Sequence, residues 1–226
     1  MGPALRLQLD GAGHGAAPLL GPLGLVLAAG ETVALTGPSG VGKTTLLRIV
    51  AGLHRDWRGR IDRPGRMAMV FQDPTLLAWR SAAENLMLAT RCSRDRALAA
   101  LDQVGLAGLQ DRYPAALSGG QQRRLALARA LAVGPDLLLM DEPFASLDPG
   151  TAAAMMALFA CLRAGRPMAT LIVTHSMAEA QTLADRILRL GGSPATLDEV
   201  PRPAGPRQNS GAYFQLSASG VTSSRS

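Results

Sequence analysis

The spacing of apolar positions changes period along the chain, and each change marks an element. Residues 5–9 read LRLQL, apolar and polar in alternation, as in a half-exposed strand. A short apolar run covers Leu23 to Leu27, and Gly30-Glu31 reads as a turn into ETVALTG. Thr32 to Thr36 is predicted as a buried strand that stops at Gly37. After GPSGVGK the period becomes helical. Leu46, Leu47 and Val50 share one face of a helix predicted from about Lys43 to Ala51, with Gly52 as its C-cap. RDWRGRIDRPGR, residues 55–66, is basic and is expected to be a loop. It leads into MAMVFQ, an apolar strand ending at Gln72.

Residues 82–105 have helical composition, and a further helix is expected from QQRRLALARALAVG, ending at Gly134. DLLLMDEP is an apolar strand with acids at its C-terminal end. A helix over 151–164, a buried strand in ATLIVTH, a helix in SMAEAQTLADR and a last strand in ILRL follow. Such alternation predicts an α/β fold, a mainly parallel sheet flanked by helices. The region from about 75 to 133 reads as an inserted helical subdomain. From Gly191 the composition turns to Gly, Pro, Ser and Arg, so residues 191–226 are expected to form a disordered tail.

Composition narrows the classes. With 47% hydrophobic and 18% charged residues, disorder of the whole chain is excluded. Aromatic residues are only 4%, so the core must be built from Leu, Ala, Val and Met. The 25 Gly and 15 Pro follow no fixed period, which excludes collagen-like and repeat architectures. A net charge of +6 suits a phosphate-rich ligand, anionic lipid or nucleic acid, and equally a solvated Arg-rich surface. Cys92 and Cys161 form no C-x-x-C, which fits a reducing compartment and argues against a disulfide framework or a zinc site. Gly11 to Gly30 lacks formal charge, but Pro18, Pro22 and six glycines interrupt it too often for a spanning helix. No basic region precedes an apolar stretch at the N-terminus, so secretion is not expected. Arg6 stands where a myristoylation signal needs Ser or Thr.

The sharpest chemical signal is GPSGVGKT, from Gly37 through Pro38, Ser39, Gly40, Val41, Gly42 and Lys43 to Thr44. It fits G-x-x-x-x-G-K-S/T between a buried strand and a helix. Its glycines let successive N–H groups turn toward an anion, and the helix adds the positive end of its dipole. Lys43 supplies a cation for the terminal phosphates, and Thr44 a hydroxyl for Mg²⁺. LLLMDE adds acids at a strand end. Asp141 can hold Mg²⁺ directly or through water, and Glu142 can polarise a water nucleophile. A second glycine-rich turn, LSGGQQ, places Ser118, Gly119, Gly120 and Gln121 at another helix N-terminus able to meet an anion. These features indicate a P-loop nucleoside triphosphatase or kinase.

Together they resemble the nucleotide-binding subunits of ATP-binding cassette (ABC) transporters over roughly residues 5–190. The likeness rests on Gly37–Thr44, Gln72, Leu117 to Gln121, Asp141-Glu142, Ser146-Leu147-Asp148 and His175, in the family's order. It implies a P-loop core with an N-terminal antiparallel β-subdomain and the helical insertion. It also implies ATP and Mg²⁺ as ligands. Thr45 joins the P-loop contacts, and Thr44, Gln72 and Asp141 serve the metal. Glu142, His175 and Gln72 are the implied catalytic set, with Gln72 sensing Mg²⁺ and attacking water and His175 touching the γ-phosphate. A head-to-tail dimer follows. In it Ser118, Gly119, Gly120, Gln121 and Asp148 of one copy close over ATP on the other.

FQDPTLLAWRSAAENL is similar to the FQ-x-P-x-LL-x-W stretch of importers for nitrate, sulfonates, taurine and related solutes, and DEVPRP resembles the end of those subunits. This implies permease subunits, docking near Leu76, Leu77 and Trp79, and through them a periplasmic or extracellular solute-binding protein. Nucleic acid is not an implied partner. The implied location is the cytoplasmic face of the inner membrane. Three positions depart from the family. His14 stands where an aromatic ring usually stacks on adenine, the segment Gly52 to Val70 is short enough to lack part of the β-subdomain, and Ser176 replaces the usual Asp after the histidine. The ATPase of a lipid or lipoprotein exporter remains an alternative. A soluble ATPase acting on DNA or ribosomes, or a non-catalytic subunit, is less in keeping with one P-loop, one signature and an intact acid pair.

Overall fold

The computed structural model describes residues 2–13 and 18–201. A three-stranded antiparallel sheet opens the chain: β1 (Leu5–Ala12), β2 (Leu23–Leu27) and β4 (Trp57–Asp62), in the order β2-β1-β4. The main sheet has six strands in the order β5-β6-β7-β3-β8-β9. They are β3 (Thr32–Thr36), β5 (Met67–Val70), β6 (Leu137–Asp141), β7 (Ala169–Val173), β8 (Arg186–Gly192) and β9 (Ala195–Val200). All pair in parallel except the terminal β8–β9 hairpin.

The helices are α1 (Lys43–Ala51), α2 (Ala82–Thr90), α3 (Arg94–Gln103), α4 (Gly119–Ala132), α5 (Pro149–Arg163) and α6 (Met177–Leu183). Among the described residues, no helix is long and apolar enough to cross a membrane.

Period 2 in the central strands divides the core between two faces. Val33, Leu35, Leu137, Leu139, Leu171 and Val173 pack with Leu46, Leu47, Ile49 and Val50 of α1 and with the buried side of the antiparallel sheet. Leu138, Met140 and Ile172 point the other way, onto Met155 and Phe159 of α5 and Leu127, Ala130 and Leu131 of α4. Because both faces are covered, β3, β6 and β7 are buried at every position, which is why each reads as a largely apolar run without alternation.

Helices α2, α3 and α4 bury a separate cluster that includes Ala83, Leu86, Leu101, Leu125 and Ala128. Helix α4 therefore belongs to both cores at once: Leu125 and Ala128 face the helical subdomain, while Leu127, Ala130 and Leu131 face the sheet. Its start is fixed by a capping box. Ser118 Oγ accepts from Gln121 N at 3.3 Å, and Gln121 Oε1 accepts from Ser118 N at 2.9 Å.

Two expectations need correction. Residues 57–62 of the basic stretch are a strand, not a loop. Trp57 and Ile61 are half-buried against the core while Arg58 and Arg60 are solvent-facing on a sheet edge, where charge is tolerated and blunts edge-to-edge pairing. The close pairing needs Gly59, whose φ is 140°. A Cβ there would lie 2.1 Å from the Gln8 carbonyl oxygen. The short Gly52–Val70 segment thus still supplies a third antiparallel strand. The second correction is the expected boundary at residue 191: Ala195 and Leu20 tie β9 back to the N-terminal region, so ordered strand continues to Val200. The rest of the expected tail, residues 202–226, lies outside the described residues.

Candidate nucleotide site

Parallel pairing levels the strand ends. Leu35 and Asp141 both pair with Val173, and Met140 pairs with Val70. The segments leaving β3, β5, β6 and β7 therefore emerge on one edge of the sheet, at the carboxyl ends of the strands, where ligands of open α/β sheets bind. Those segments carry Gly37–Thr44, Gln72, Glu142 and His175.

The loop leaving β3 has little freedom. Gly37 has φ 145°, and a Cβ on it would lie 2.3 Å from the Leu190 carbonyl oxygen, so the close passage over β8 requires glycine. Gly42, with φ 108°, is the N-cap of α1 and offers no side-chain cap. Pro38, Ser39 and Gly40 are exposed, and Val41 and Thr45 are half-buried. The first-turn N–H groups of α1 remain free of a side-chain acceptor, which suits an external anion. Lys43 is 6% exposed, and its ammonium donates to the carbonyls of Gly37 at 2.9 Å and Pro38 at 2.8 Å. The cation is thus held back over its own loop.

Thr44 Oγ1 donates to Asp141 Oδ1 at 3.1 Å, joining the helix after β3 to the end of β6. Burial holds the Asp141 carboxyl above its ordinary range, and the neighbouring Glu142 charge adds to this. The Thr44 bond, Arg48 and Lys43 oppose it. A hydroxyl and a buried carboxylate are hard oxygen donors, and a cation between them would offset the unfavourable burial of charge. The pair fits Mg²⁺.

Glu142 has φ 45°, a strained conformation for a residue with a Cβ, and its N–H donates to the Val173 carbonyl at 2.9 Å. The kink takes its side chain out of the strand register. Glu142 Oε2 lies 3.3 Å from His175 Nδ1, with the imidazole largely exposed. Lys43, Thr44, Asp141, Glu142 and His175 are thus joined by the Thr44–Asp141 hydrogen bond, the Glu142–His175 approach and direct chain neighbours. Gln72, exposed, lies two residues past Val70 just as Glu142 lies two past its pairing partner Met140.

The Ser176 substitution has a structural use. Its hydroxyl accepts from Glu179 N at 3.3 Å as the N-cap of α6, and its own N–H donates to Thr174 Oγ1 at 3.0 Å. Thr174 Oγ1 in turn donates to Glu179 Oε2 at 2.6 Å, so the residues on either side of His175 are fixed.

The second glycine turn stands apart from this group. Ser118 and Gly119 are exposed, Gly120 is half-buried, and Ser118 and Gln121 spend their side chains on the capping box. The N–H groups of Gly119 and Gly120, the first two residues of α4, carry the positive end of that helix. Asp148 caps α5: Oδ1 accepts from Thr151 N at 3.0 Å, and the bonds to Thr151 hold its carboxyl below the usual range. His14 lies outside the described residues. Leu76 packs against the helical core while Trp79 is 70% exposed, so the proposed docking residues divide between a core role and a surface one. Sequence reasoning missed Arg129, whose guanidinium reaches the loop after Gln72. Its helical spacing made it look like one more arginine of a solvated face.

A raised Asp141 pKa means the folded chain binds more protons than the unfolded chain across that window. Stability therefore falls as pH rises from the ordinary carboxylate range through the raised value. Asp141→Asn keeps an acceptor for Thr44 and is expected to raise the melting temperature of the nucleotide-free chain at pH 7. The gain should vanish below about pH 4, where the parent carboxyl is protonated as well. A melting temperature at pH 7 that is unchanged or lower contradicts the burial argument.

Residues 20–145 match the family model described as ABC transporter. The chain is 44% identical over 216 residues to the aliphatic sulfonates import ATP-binding protein SsuB 1 of Rhodococcus jostii (strain RHA1), covering 92% of this chain and 88% of that protein. It is 48% identical over 201 residues to the aliphatic sulfonates import ATP-binding protein SsuB of Mycobacterium sp. (strain MCS), covering 84% of this chain and 81% of that protein. A solved dimeric ATP-binding cassette in a post-hydrolysis state, bound to ADP and Pi, superposes with a TM-score of 0.75 at 28% identity, covering 89% of this chain and all of that one. Motif, sheet-edge geometry and relatives agree, and the chain belongs to the ABC transporter family.

Proposed function

We propose that this ATPase powers import of an aliphatic sulfonate or similar small anion through separate membrane subunits, and that it works as an ATP-sandwich dimer of two copies. The observation that carries the reading is the assembly of Lys43, Thr44, Asp141, Glu142 and His175 at one edge of the sheet. The sulfonate rests on the names of the relatives.

ATP seats its phosphates on the N–H groups of residues 39–45, and Lys43 turns from its loop carbonyls to the terminal phosphates. Thr44, Asp141 and Gln72 would hold Mg²⁺, which would neutralise charge developing on the phosphate oxygens. Glu142 accepts the proton of a water molecule as its oxygen bonds to the γ-phosphorus and the bond to the β-phosphate oxygen breaks. ADP and inorganic phosphate result. His175 contacts the γ-phosphate from an exposed ring whose Nδ1 lies 3.3 Å from Glu142 Oε2.

The opposite copy offers Ser118 and the Gly119 and Gly120 N–H groups, aimed by the dipole of α4, with Gln121 bracing the turn and Asp148 at the junction. The closed dimer binds ATP more tightly than the open one, and that difference is the work available to the permease. Trp79 is the exposed contact offered to that permease on the cytoplasmic face of the membrane, and a solute-binding protein delivers the cargo from the other side.

Glu142→Gln should retain ATP binding and lose about 10²–10³ in turnover, leaving a stable ATP-bound dimer in size-exclusion chromatography. Lys43→Ala should lose nucleotide binding in equilibrium dialysis. Parental turnover in the first variant or parental affinity in the second contradicts the assigned roles. Deleting the gene should abolish growth on an alkanesulfonate as sole sulfur source while growth on sulfate continues. Undiminished growth on the sulfonate rejects the substrate class.

A further inference from the structure

The loop between Gln72 and α2 is pinned from two helices. Asn85, 1% exposed on α2, holds its later half: Leu77 N–H donates to Asn85 Oδ1 at 2.8 Å, and Asn85 Nδ2 donates to the carbonyls of Leu77 and Arg80, each at 3.1 Å, and of Ser81 at 3.0 Å. Arg129, on α4, holds the earlier half. Its Nη1 donates to the Thr75 carbonyl at 2.9 Å, and its Nη2 donates to the Pro74 carbonyl and to Thr75 Oγ1, each at 3.0 Å. Arg129 makes no ion pair among the described residues, and both of its terminal nitrogens bond this loop.

Thr75 has φ 47°. A β-branched residue there is a genuine outlier, and such a conformation persists only when its surroundings over-determine it. All three Arg129 bonds end on Thr75 or on the residue before it, and Pro74 is two residues from Gln72. The same helix begins at the Ser118–Gln121 turn and is packed into both cores. The Ser118–Gln121 turn and the loop after Gln72 are therefore held by one helix.

We propose that Arg129 is a positioning residue: it clamps Thr75 in its strained backbone conformation and so ties the placement of Gln72 to the helix that presents the signature turn. Catalytic consequences rest on the proposed role of Gln72. The mechanical clamp itself does not.

The test is kinetic and spectroscopic. Arg129→Ala should lower kcat by about tenfold or more, as displacement of a positioned group by about 1 Å can cost 10²-fold, with ATP affinity within about twofold of the parent. Adding Thr75→Gly should restore most of the loss, because glycine occupies positive φ without strain and needs no clamp. Arg129→Lys, which cannot span both carbonyls with a planar fork, should stay low.

Loop shape is read separately from Trp79 fluorescence and acrylamide quenching in a Trp57→Phe background. Arg129→Ala should shift both readouts, and Thr75→Gly should return them. An unchanged kcat and unchanged Trp79 signal in Arg129→Ala overturn the clamp, as does a loss that Thr75→Gly leaves uncorrected in both readouts. If Trp79 shifts and recovers as expected while Gln72→Ala keeps parental kcat, the clamp stands and the role given to Gln72 is what fails. Thermal melts of each variant identify a general loss of folding, which would lower ATP affinity along with kcat and counts against positioning.

Discussion

The parallel registration of β3, β7 and β6 is the constraint on which the site depends. With Leu35 and Asp141 both opposite Val173, the chain has no choice about where its turns emerge. A phosphate cradle, an acid pair and a histidine from distant parts of the sequence then meet within hydrogen-bonding distance. The hydrogen bond from Thr44 to Asp141 is the visible sign of that alignment. A one-residue slip of β6 would turn Leu138 and Met140 away from the core that buries them, so the packing of both faces protects the register.

Strained backbone sits at the points where the chain leaves this register. Among the four described non-glycine residues with positive φ, Glu142, Ser146 and Thr75 lie after β6, before the Asp148 cap and in the loop after Gln72, while Arg91 caps the C-terminus of α2. Each conformation is of a kind that costs roughly 1–3 kcal/mol and has to be held by its neighbours. At Glu142 the holder is the Val173 carbonyl, and at Thr75 it is Arg129. At Glu142 the strained residue is itself part of the site, and at Thr75 it lies three residues from Gln72.

Much of this was legible in the sequence. Apolar runs marked the strands of the central sheet because burial on both faces leaves no polar alternation to confuse them, and the glycine spacing marked the cradle because few other chemistries require it. What was not legible depended on partners far away in the chain. Strand β4 was hidden by its arginines, since an edge strand needs only Trp57 and Ile61 to face inward. Strand β9 was hidden because its sequence, ATLDEV, is half-polar and depends on pairing with β8. Arg129 was hidden because a helical arginine announces nothing about which loop it will reach. The roles of Ser118 and Asp148 across a dimer come from family resemblance, because within one chain both side chains serve as helix caps.

The central claim is that two copies hold one nucleotide between the Gly37–Thr44 loop of one and the Ser118–Gln121 turn of the other. Disulfide trapping tests it most directly. The chain would carry Ser39→Cys and Ser118→Cys in a Glu142→Gln background, with Cys92 and Cys161 replaced by serine. The account predicts covalent dimers that form under mild oxidation with Mg²⁺ and ATP, and not without nucleotide or with Lys43→Ala added. Absence of dimers under every condition, or dimers formed equally with and without ATP, would contradict it.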